Sequence, residues 1–239
     1  MQSKPTTGKK ADLINACNLA SEAAIRLVKP GNTNTQVTEA LDTIAKEFGC
    51  VAVQSMTSHQ LLRNVHDGPN QIVQNPTEDS KIATVTFEQG QVYAINVMLS
   101  SGAGKVKPST TRTTVYKRNP DAKYQLKMKA SRAVFSQIQK ECGTMAFCLS
   151  QLEDEKLARM GIIECQTHGL VSDYKVLHEE AGTDVAQFGF TVLLMPNGPL
   201  KIAQYPFAAD MFVSEISLKD EVLSKLIAEP IRKTKKKKN

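Results

Sequence analysis

The order of apolar patterns along the chain constrains its fold more strongly than any other feature. Residues 11–29 and 35–48 carry apolar side chains every three or four positions, which predicts two helices separated by the turn Pro30-Gly31. Short segments rich in β-branched and aromatic residues follow, and such segments favour strands. The predicted strands of this first part are 51–53, 82–87, 92–99 and 113–116.

The rest of the chain shows helical patterns and then strand patterns. Helices are predicted at 124–140, 154–165 and 218–227, and strands at 185–195 and 200–203. Helices and strands are therefore grouped along the chain rather than strictly alternating. This order predicts an α+β fold whose sheet is mainly antiparallel.

Composition excludes several classes of protein. With 41% hydrophobic and 23% charged residues, the chain is globular rather than disordered or fibrous. Its longest apolar run, Phe190–Met195, has six residues, whereas a membrane helix needs about 20. The polar residues 1–10 are not followed by an apolar segment, so we do not expect a secretory signal. Five cysteines without short paired spacing predict buried thiols in a reducing compartment, the cytosol or the nucleus.

Positive charge is concentrated in the last eight positions of the chain. Basic residues outnumber acidic ones by 30 to 24, and the two numbers become equal when six residues of this tail are set aside. Crowded cations repel one another, so we expect 232–239 to be disordered and to attract an anionic partner such as nucleic acid. The six residues are Arg232, Lys233, Lys235, Lys236, Lys237 and Lys238.

Two alternatives to nucleic-acid binding remain for the tail, a solvated segment that aids solubility and, less favoured, a membrane-surface contact. A second basic group lies near the start of the predicted helix at 124–140, with acidic residues interspersed, and is a weaker candidate for an RNA-binding surface. It consists of Lys123, Lys127, Lys129 and Arg132.

Local motifs that could carry chemistry are incomplete. Ser100–Lys105 resembles a phosphate-binding loop, but Val106 stands where Ser or Thr is required and Pro108 obstructs the helix that should follow. We interpret this segment as a glycine-rich turn at a strand end. The four histidines and five cysteines lack metal-ligand spacing, and no Gly-x-Ser-x-Gly motif is present.

Seven longer motifs, occurring in a fixed order, are more specific than these patterns. They are Gly8–Asp12, Leu27–Ala40, Ser58–Leu61, Ile72–Thr77, Glu155–Gly161, Val185–Phe188 and Thr191–Pro199. Together they resemble the proliferation-associated, ErbB-receptor-binding protein family, a non-peptidase branch of the type 2 methionine aminopeptidases. The resemblance implies the α/β "pita-bread" fold of that family, in which two related halves pack their sheets beneath helices.

The resemblance also implies a domain organisation. Residues 1–10 form a polar extension, 11–231 correspond to the second half of the pseudo-symmetric fold, and about 120–180 form a helical insertion within it. The first-half strands of family members have no counterpart here. Half of such a fold should leave an unpaired sheet edge and an exposed apolar face. We therefore expect either a protein partner on the exposed sheet or a chain that is a truncated isoform, a paralogue or an incomplete gene product.

The metal-ligand positions of the family are carried over one by one. His59 aligns with a metal-binding His, Asn96 and Gly189 align with two metal-binding Glu residues, and Asp67 aligns with a second catalytic His. The paired Asp ligands of true aminopeptidases have no counterpart. A two-metal site needs several carboxylates, so we expect these positions to be vestigial, with no catalytic residue, no metal and no cofactor.

The resulting hypothesis is a non-catalytic, aminopeptidase-like adaptor. The family resemblance implies that it binds ribosomes and structured RNA, influences translation and cell growth, and is found in the cytoplasm, nucleus and nucleolus. Two alternatives remain open, an aminopeptidase remnant that is active only with a partner chain, and a module that binds other proteins.

Overall fold

The computed structural model describes residues 5–77, 82–204 and 206–232. They form two compact units. The first takes in the described residues of Met1–Leu62, His66–Val106 and Glu179–Asn239, and the second consists of Arg63–Val65 and Lys107–His178.

The helices of the first unit are α1 (Lys9–Leu27), α2 (Asn34–Glu47) and α5 (Glu221–Ala228). A capping box in which Thr33 and Gln36 bond each other's backbone starts α2, and the side chain of Asp220 accepts two backbone N–H groups at the start of α5. Each start is therefore encoded by a local polar residue. The strands of this unit are β1 (Thr6–Thr7), β2 (Val51–Ala52), β3 (Thr57–Leu61), β4 (Gln71–Val73), β5 (Val92–Ser100), β11 (Val185–Met195), β12 (Gly198–Gln204) and β13 (Phe212–Val213).

Six of these strands form one antiparallel sheet. Its order is β12-β11-β5-β3-β4, and β2 pairs with the end of β5. β11 and β5 are the long central strands, paired from Val185 opposite Ser100 to Leu193 opposite Val92. β1 and β13 form a separate parallel pair. The α+β class with a mainly antiparallel sheet is confirmed.

One face of the sheet packs against the helices. Alternate residues of β5 are buried, with Tyr93 and Val97 both at 0% exposure, because side chains along a strand alternate between its two faces. On α1 the residues that meet this face are small, among them Ala16, Ala20 and Ala24, which lets the helix lie close to the sheet. The opposite face carries the half-buried residues of β5, including Asn96.

The glycine-rich segment after β5 is a turn, as predicted. Its backbone is held by the carboxylate of Glu179, which accepts a hydrogen bond from the Gly104 N–H at 2.7 Å and a short one from the Ser100 hydroxyl. Gly104 has a φ of +69°, which is open to glycine at little cost. The segment therefore serves the structure of the first unit, with a carboxylate accepting the Gly104 N–H.

The second unit combines two helices with short strands. α3 (Lys129–Gln137) continues into a π-helical turn, Ile138–Cys142, and packs on α4 (Glu155–Thr167). Beside them, β7 (Val115–Arg118) pairs on its two sides with β8 (Ala146–Cys148) and β9 (Val171–Asp173). A small pair, β6 (Lys107–Pro108) and β10 (Leu177–His178), completes the unit.

Several predicted boundaries differ from the structure. The strand predicted at 82–87 is wrong, since Thr86 makes only an isolated bridge to Thr33. The helix predicted from residue 124 begins at Lys129, after an irregular segment. No helix within the described ranges is both long and apolar enough to cross a bilayer.

Candidate functional site

Three of the four vestigial metal positions lie on the same face of the sheet. Gly189 is opposite Asn96 across β11 and β5, and His59 is opposite Ala94 across β3 and β5. Residues opposite each other in antiparallel strands share a face, and Ala94 and Asn96 share one because they are two positions apart. The structure therefore brings His59, Asn96 and Gly189 together on the face that α1 and α2 do not cover.

Neutral amides occupy the centre of this face. The side-chain N–H of Gln187 donates to the Asn96 amide oxygen at 2.6 Å. Gly189 has no side chain, and a Cβ atom placed there would approach only the Ile95 carbonyl oxygen, at 3.8 Å. There is therefore open space at Gly189, the position that aligns with a bridging carboxylate. Asn96, opposite it, is engaged in an amide–amide hydrogen bond with Gln187.

His59 and Asp67, the remaining two positions, do not supply the carboxylates that a metal site here would need. The Nε2 atom of His59 lies 2.8 Å from the Thr57 hydroxyl, and Asp67 is an exposed residue of the loop after β3. In the described part of the chain, no group of three or more His, Cys, Asp or Glu residues is placed to hold a metal ion. These residues do not fit a two-metal centre, which requires several carboxylates around both ions.

A buried polar arrangement next to Asn96 was missed by sequence reasoning. Main-chain pairing between β3 and β5 ends at His59. Beyond this point, two buried side chains hydrogen-bond to main-chain groups of β5. Ser58 accepts the Asn96 N–H at 2.9 Å, while Gln74 accepts the Met98 N–H at 2.8 Å and donates a short bond to the Asn96 carbonyl. Polar residues inside the Ser58–Leu61 and Ile72–Thr77 motifs were the available signal.

A cavity of about 980 Å³ lies in the first unit beside the first half of β11. Its apolar wall includes Phe188, which meets Phe207 edge to face with ring centroids 5.1 Å apart, and Phe207 stacks on Phe212 at 5.3 Å. Leu13 and Ile14 of α1 line the other side. Sequence reasoning did not predict this cavity, because residues 206–212 show no helical or strand period.

Charged side chains border the cavity. Glu22 bonds to Arg26 at 2.7 Å and to Lys201 at 3.3 Å. Partial burial opposes ionisation of Glu22, but the Arg26 hydrogen bond and the Lys201 charge outweigh it and hold the pKa of Glu22 below its ordinary value. Lys201 also lies 4.5 Å from the centre of the Phe190 ring, which favours a cation–π contact.

Cys17 lies in the core behind the same sheet. Its thiol donates weakly to the Val97 and Ala186 carbonyls at 3.5 and 3.4 Å. Burial raises its pKa to about 12, so the thiol stays protonated and does not act as a nucleophile. Burial likewise raises the pKa of Cys165 in the second unit to about 11. Cys142 and Cys148 are only half-buried, contrary to the expectation that all five thiols are buried.

Most of the predicted RNA-binding tail lies outside the described residues. Arg232 is exposed, and Lys233, Lys235, Lys236, Lys237 and Lys238 are among the residues that the structure does not describe. In the second unit, Lys123, Lys127 and Lys129 are exposed. Arg132 is also exposed, but its guanidinium donates to the carbonyls of Leu126 and Lys127 at 3.1 and 2.6 Å, so it supports the start of α3.

The chain is similar to several known proteins. Residues 2–111 match the model of metallopeptidase family M24. ErbB-3 binding protein 1 of Arabidopsis thaliana is 44% identical over 206 residues, which are 86% of this chain and 52% of that protein. Proliferation-associated protein A of Dictyostelium discoideum is 38% identical over 96% of this chain and 60% of its own length. Curved DNA-binding protein of Schizosaccharomyces pombe is 40% identical over 98% and 62%.

A solved structure agrees with these sequence matches. The structure of a thermophilic Arx1 superposes with a TM-score of 0.88 at 29% identity, covering 96% of this chain and 66% of that one. The chain thus spans between half and two-thirds of the length of these relatives, and the expected pita-bread, aminopeptidase-like fold is confirmed. The chain is therefore a relative of the proliferation-associated and ErbB-3-binding proteins, with the fold of the M24 metallopeptidases.

Proposed function

We propose that this protein is a non-catalytic, aminopeptidase-like adaptor that binds RNA or ribosomes and modulates translation and cell growth. One observation carries the non-catalytic part. Asn96 and Gly189 face each other where the family resemblance implies two metal-binding carboxylates, and neither can bind a dication as a carboxylate does. The fold is kept while the charges that a two-metal peptidase needs are absent from these positions.

The basic residues support the nucleic-acid part of the proposal. Six cations lie within residues 232–238, and each cation that meets a phosphate releases a condensed counterion, which makes binding strong at low salt and weak at high salt. One relative is named for binding curved DNA and another for proliferation. We propose that the tail supplies attraction to RNA and that the folded units supply the shape that docks.

Ribosome co-sedimentation across a salt series tests this function. Replacing the six basic residues of 232–238 by Gln should weaken binding and reduce the slope of log affinity against log salt by up to about 4 to 5, at roughly 0.7–0.9 per phosphate contact. A matched control replaces Lys123, Lys127 and Lys129 by Gln, which should change the slope less. Unchanged sedimentation of the tail variant would show that the tail does not bind ribosomes.

The same tail is proposed to direct the protein to the nucleus and nucleolus as well as the cytoplasm. Clusters of five to eight Lys and Arg residues serve as nuclear addresses. A fluorescent fusion of the wild-type chain should be found in both compartments, and the tail variant should be cytoplasmic. Equal nuclear signal for both proteins would contradict this assignment.

A metallopeptidase that needs a partner chain is the second candidate, favoured by the match of residues 2–111 to family M24. It requires that His59 hold a metal with ligands from another polypeptide. Titration of the purified protein with Co²⁺, Mn²⁺ or Zn²⁺ in a calorimeter distinguishes the two functions. Stoichiometric binding lost in His59→Ala would favour the peptidase, and no binding favours the adaptor.

A further inference from the structure

Two serines in the sequence are followed by an acidic residue three positions later. They are Ser150, with Glu153, and Ser217, with Asp220, and no other Ser or Thr of the sequence has Asp or Glu at this spacing. Kinases choose their substrates by charge patterns around the modified residue, and a kinase with a basic peptide groove selects an acidic side chain at this position. The two serines are therefore the candidates for acid-directed phosphorylation.

The structure distinguishes the two candidates. Ser150 lies in a short 3₁₀ turn between Leu149 and Leu152, which are only 1% and 5% exposed. A kinase can reach it only if core side chains of the second unit move out, which requires local unfolding. Ser217, by contrast, is exposed and lies within 216–220, a segment without regular secondary structure that leads into α5. The structure therefore favours Ser217.

The main-chain donors at the start of α5 already have carboxylate partners. Glu47 of α2 accepts the N–H groups of Lys219 and Asp220 at 2.6 and 3.0 Å. The side chain of Asp220 in turn accepts those of Val222 and Leu223, both at 2.9 Å. A phosphate three positions before Asp220 would therefore arrive where these four donors are occupied and two carboxylates are already present.

Apolar contacts alone hold α5 weakly. Of its eight residues, Leu223 is buried, at 9% exposure, while Leu226 and Ile227 are partly buried against the core of the first unit. A helix of this length is not stable on its own in water, so it depends on these contacts and on the bonds from Glu47. Weakening the Glu47 bonds should therefore loosen the whole of α5.

We propose that Ser217 is a phosphorylation site for an acid-directed serine kinase and that its phosphate loosens α5 from α2. The γ-phosphoryl group of ATP is transferred to the Ser217 Oγ atom, which loses its proton, and ADP leaves. The phosphate adds about 1.5–2 negative charges beside Glu47 and Asp220, and these like charges repel one another. Arg232, the first basic residue of the tail, follows the last residue of α5 by four positions. Loosening α5 therefore also moves the point at which the tail leaves the first unit.

Phosphorylation of the full chain tests the site. The folded protein is incubated with casein kinase 2 and Mg·ATP, and the phosphate is located by mass spectrometry. We expect one phosphate per chain, at Ser217, which Ser217→Ala abolishes and Ser150→Ala does not change. Asp220→Asn removes the acidic residue that the kinase reads but keeps a good helix cap, so this variant should be modified at least tenfold more slowly.

Hydrogen exchange tests the consequence of the modification. Phosphorylation should speed exchange at the Lys219 and Asp220 amides at least tenfold, whereas exchange at the Ile25 amide in α1 should not change. Ser217→Glu adds a single charge and should have a smaller effect in the same direction. Ser217→Gln, of similar size but without charge, is the matched control and should leave exchange within about twofold of the wild type.

Three results would overturn the proposal. The first is phosphate on Ser150 in place of Ser217. The second is modification of a synthetic peptide spanning 211–224 without modification of the folded chain, which would show that Ser217 is not accessible. The third is unchanged exchange at Lys219 and Asp220 in the fully phosphorylated protein, which would show that α5 is not loosened. None of these measurements involves RNA, so failure here is distinct from failure of the proposed function.

Discussion

Asn96 and Gly189 lie directly opposite each other on adjacent strands. Because the neighbouring residues make the hydrogen bonds of this ladder, the pair is a non-bonded one, whose Cα atoms are typically about 4.5 Å apart. Two side chains at these positions would converge, as those of a shared metal site must. The sheet thus places these two positions as the ligands of a shared metal site would lie, but neither Asn96 nor Gly189 carries a carboxylate.

Restoring carboxylates at both positions should not restore activity. In Asn96→Glu/Gly189→Glu, two like charges face each other without the further carboxylates that hold a pair of metal ions, so we expect mutual repulsion and lower stability. The measurement is release of Met from a tripeptide with Co²⁺ or Mn²⁺ present. A control, Asn96→Gln/Gly189→Gln, adds similar bulk without charge. Metal-dependent release of Met by the Glu variant would contradict the non-catalytic assignment.

The buried amide of Gln74 should contribute strongly to stability. Gln74→Leu keeps the volume but leaves the Asn96 carbonyl and the Met98 N–H without this partner, at a cost of about 2–3 kcal/mol in the free energy of unfolding. Gln187→Leu makes the same chemical change at an exposed site and should cost less than about 1 kcal/mol. Urea denaturation measures both. Equal losses would mean that burial of Gln74 does not matter.

Stability should depend on pH through Glu22. Its pKa is lower in the folded protein than its ordinary value of 4.5, so its stabilising effect is full above that value and is lost as the pH falls through the folded-state pKa. Glu22→Gln should therefore lower the free energy of unfolding by about 1 kcal/mol at pH 7, with a smaller difference at pH 3.

The control for this test is Glu221→Gln. Glu221 pairs with Lys225, but both side chains are about four-fifths exposed, so its removal should have little effect at either pH. A difference between wild type and Glu22→Gln that persists unchanged at pH 3 would show that packing, and not charge, explains the effect.

Gly161 should be intolerant of a methyl group. It lies in α4 against α3, and a Cβ atom there would come within 2.8 Å of the Val134 side chain and 2.9 Å of the Ala130 carbonyl. Gly161→Ala gains about 1 kcal/mol of helix propensity but forces the helices apart at a cost of about 1–3 kcal/mol. We expect net destabilisation in thermal unfolding, partly relieved by Val134→Ala in a double-mutant cycle. A more stable Gly161→Ala protein would disprove close helix contact.

The cysteines should differ in reactivity. Cys17 and Cys165 are fully buried, with pKa values raised to about 12 and about 11, whereas Cys142 and Cys148 are half-buried. At pH 8 a disulfide reagent should modify the half-buried pair in the folded protein and all five thiols after denaturation. Rapid modification of Cys17 in the folded state, identified by mass spectrometry, would contradict its position in the core.

Strong periodic segments were predicted well. The helices at Lys9–Leu27 and Asn34–Glu47 and the strands at Val92–Ser100 and Val185–Met195 lie close to their expected bounds, because each buries one regular face. β3 was missed since its sequence, Thr-Ser-His-Gln-Leu, is polar on both faces. Its partners on β5, Val92 to Ala94 and Asn96, are distant in sequence.

The candidate site was predictable only in part. Family resemblance predicted His59, Asn96 and Gly189 as former metal positions, and strand register shows that these three residues share one face of the sheet. The cavity could not be predicted from the sequence. It is lined both by α1 and by residues 206–212, which follow α1 almost two hundred positions later. Similarly, sequence alone does not show which helix packs against Gly161.

The carboxylate of Glu179 has a consequence for how the chain is assembled. The polypeptide leaves the first unit after Val106 and re-enters it at Glu179, and that residue bonds directly to Gly104. The two ends of the intervening segment are therefore tied together within the first unit itself. Closing a chain whose ends already meet carries little entropic penalty, so residues 107–178 can vary in length, or be exchanged for a short linker, without disturbing the sheet from which they depart.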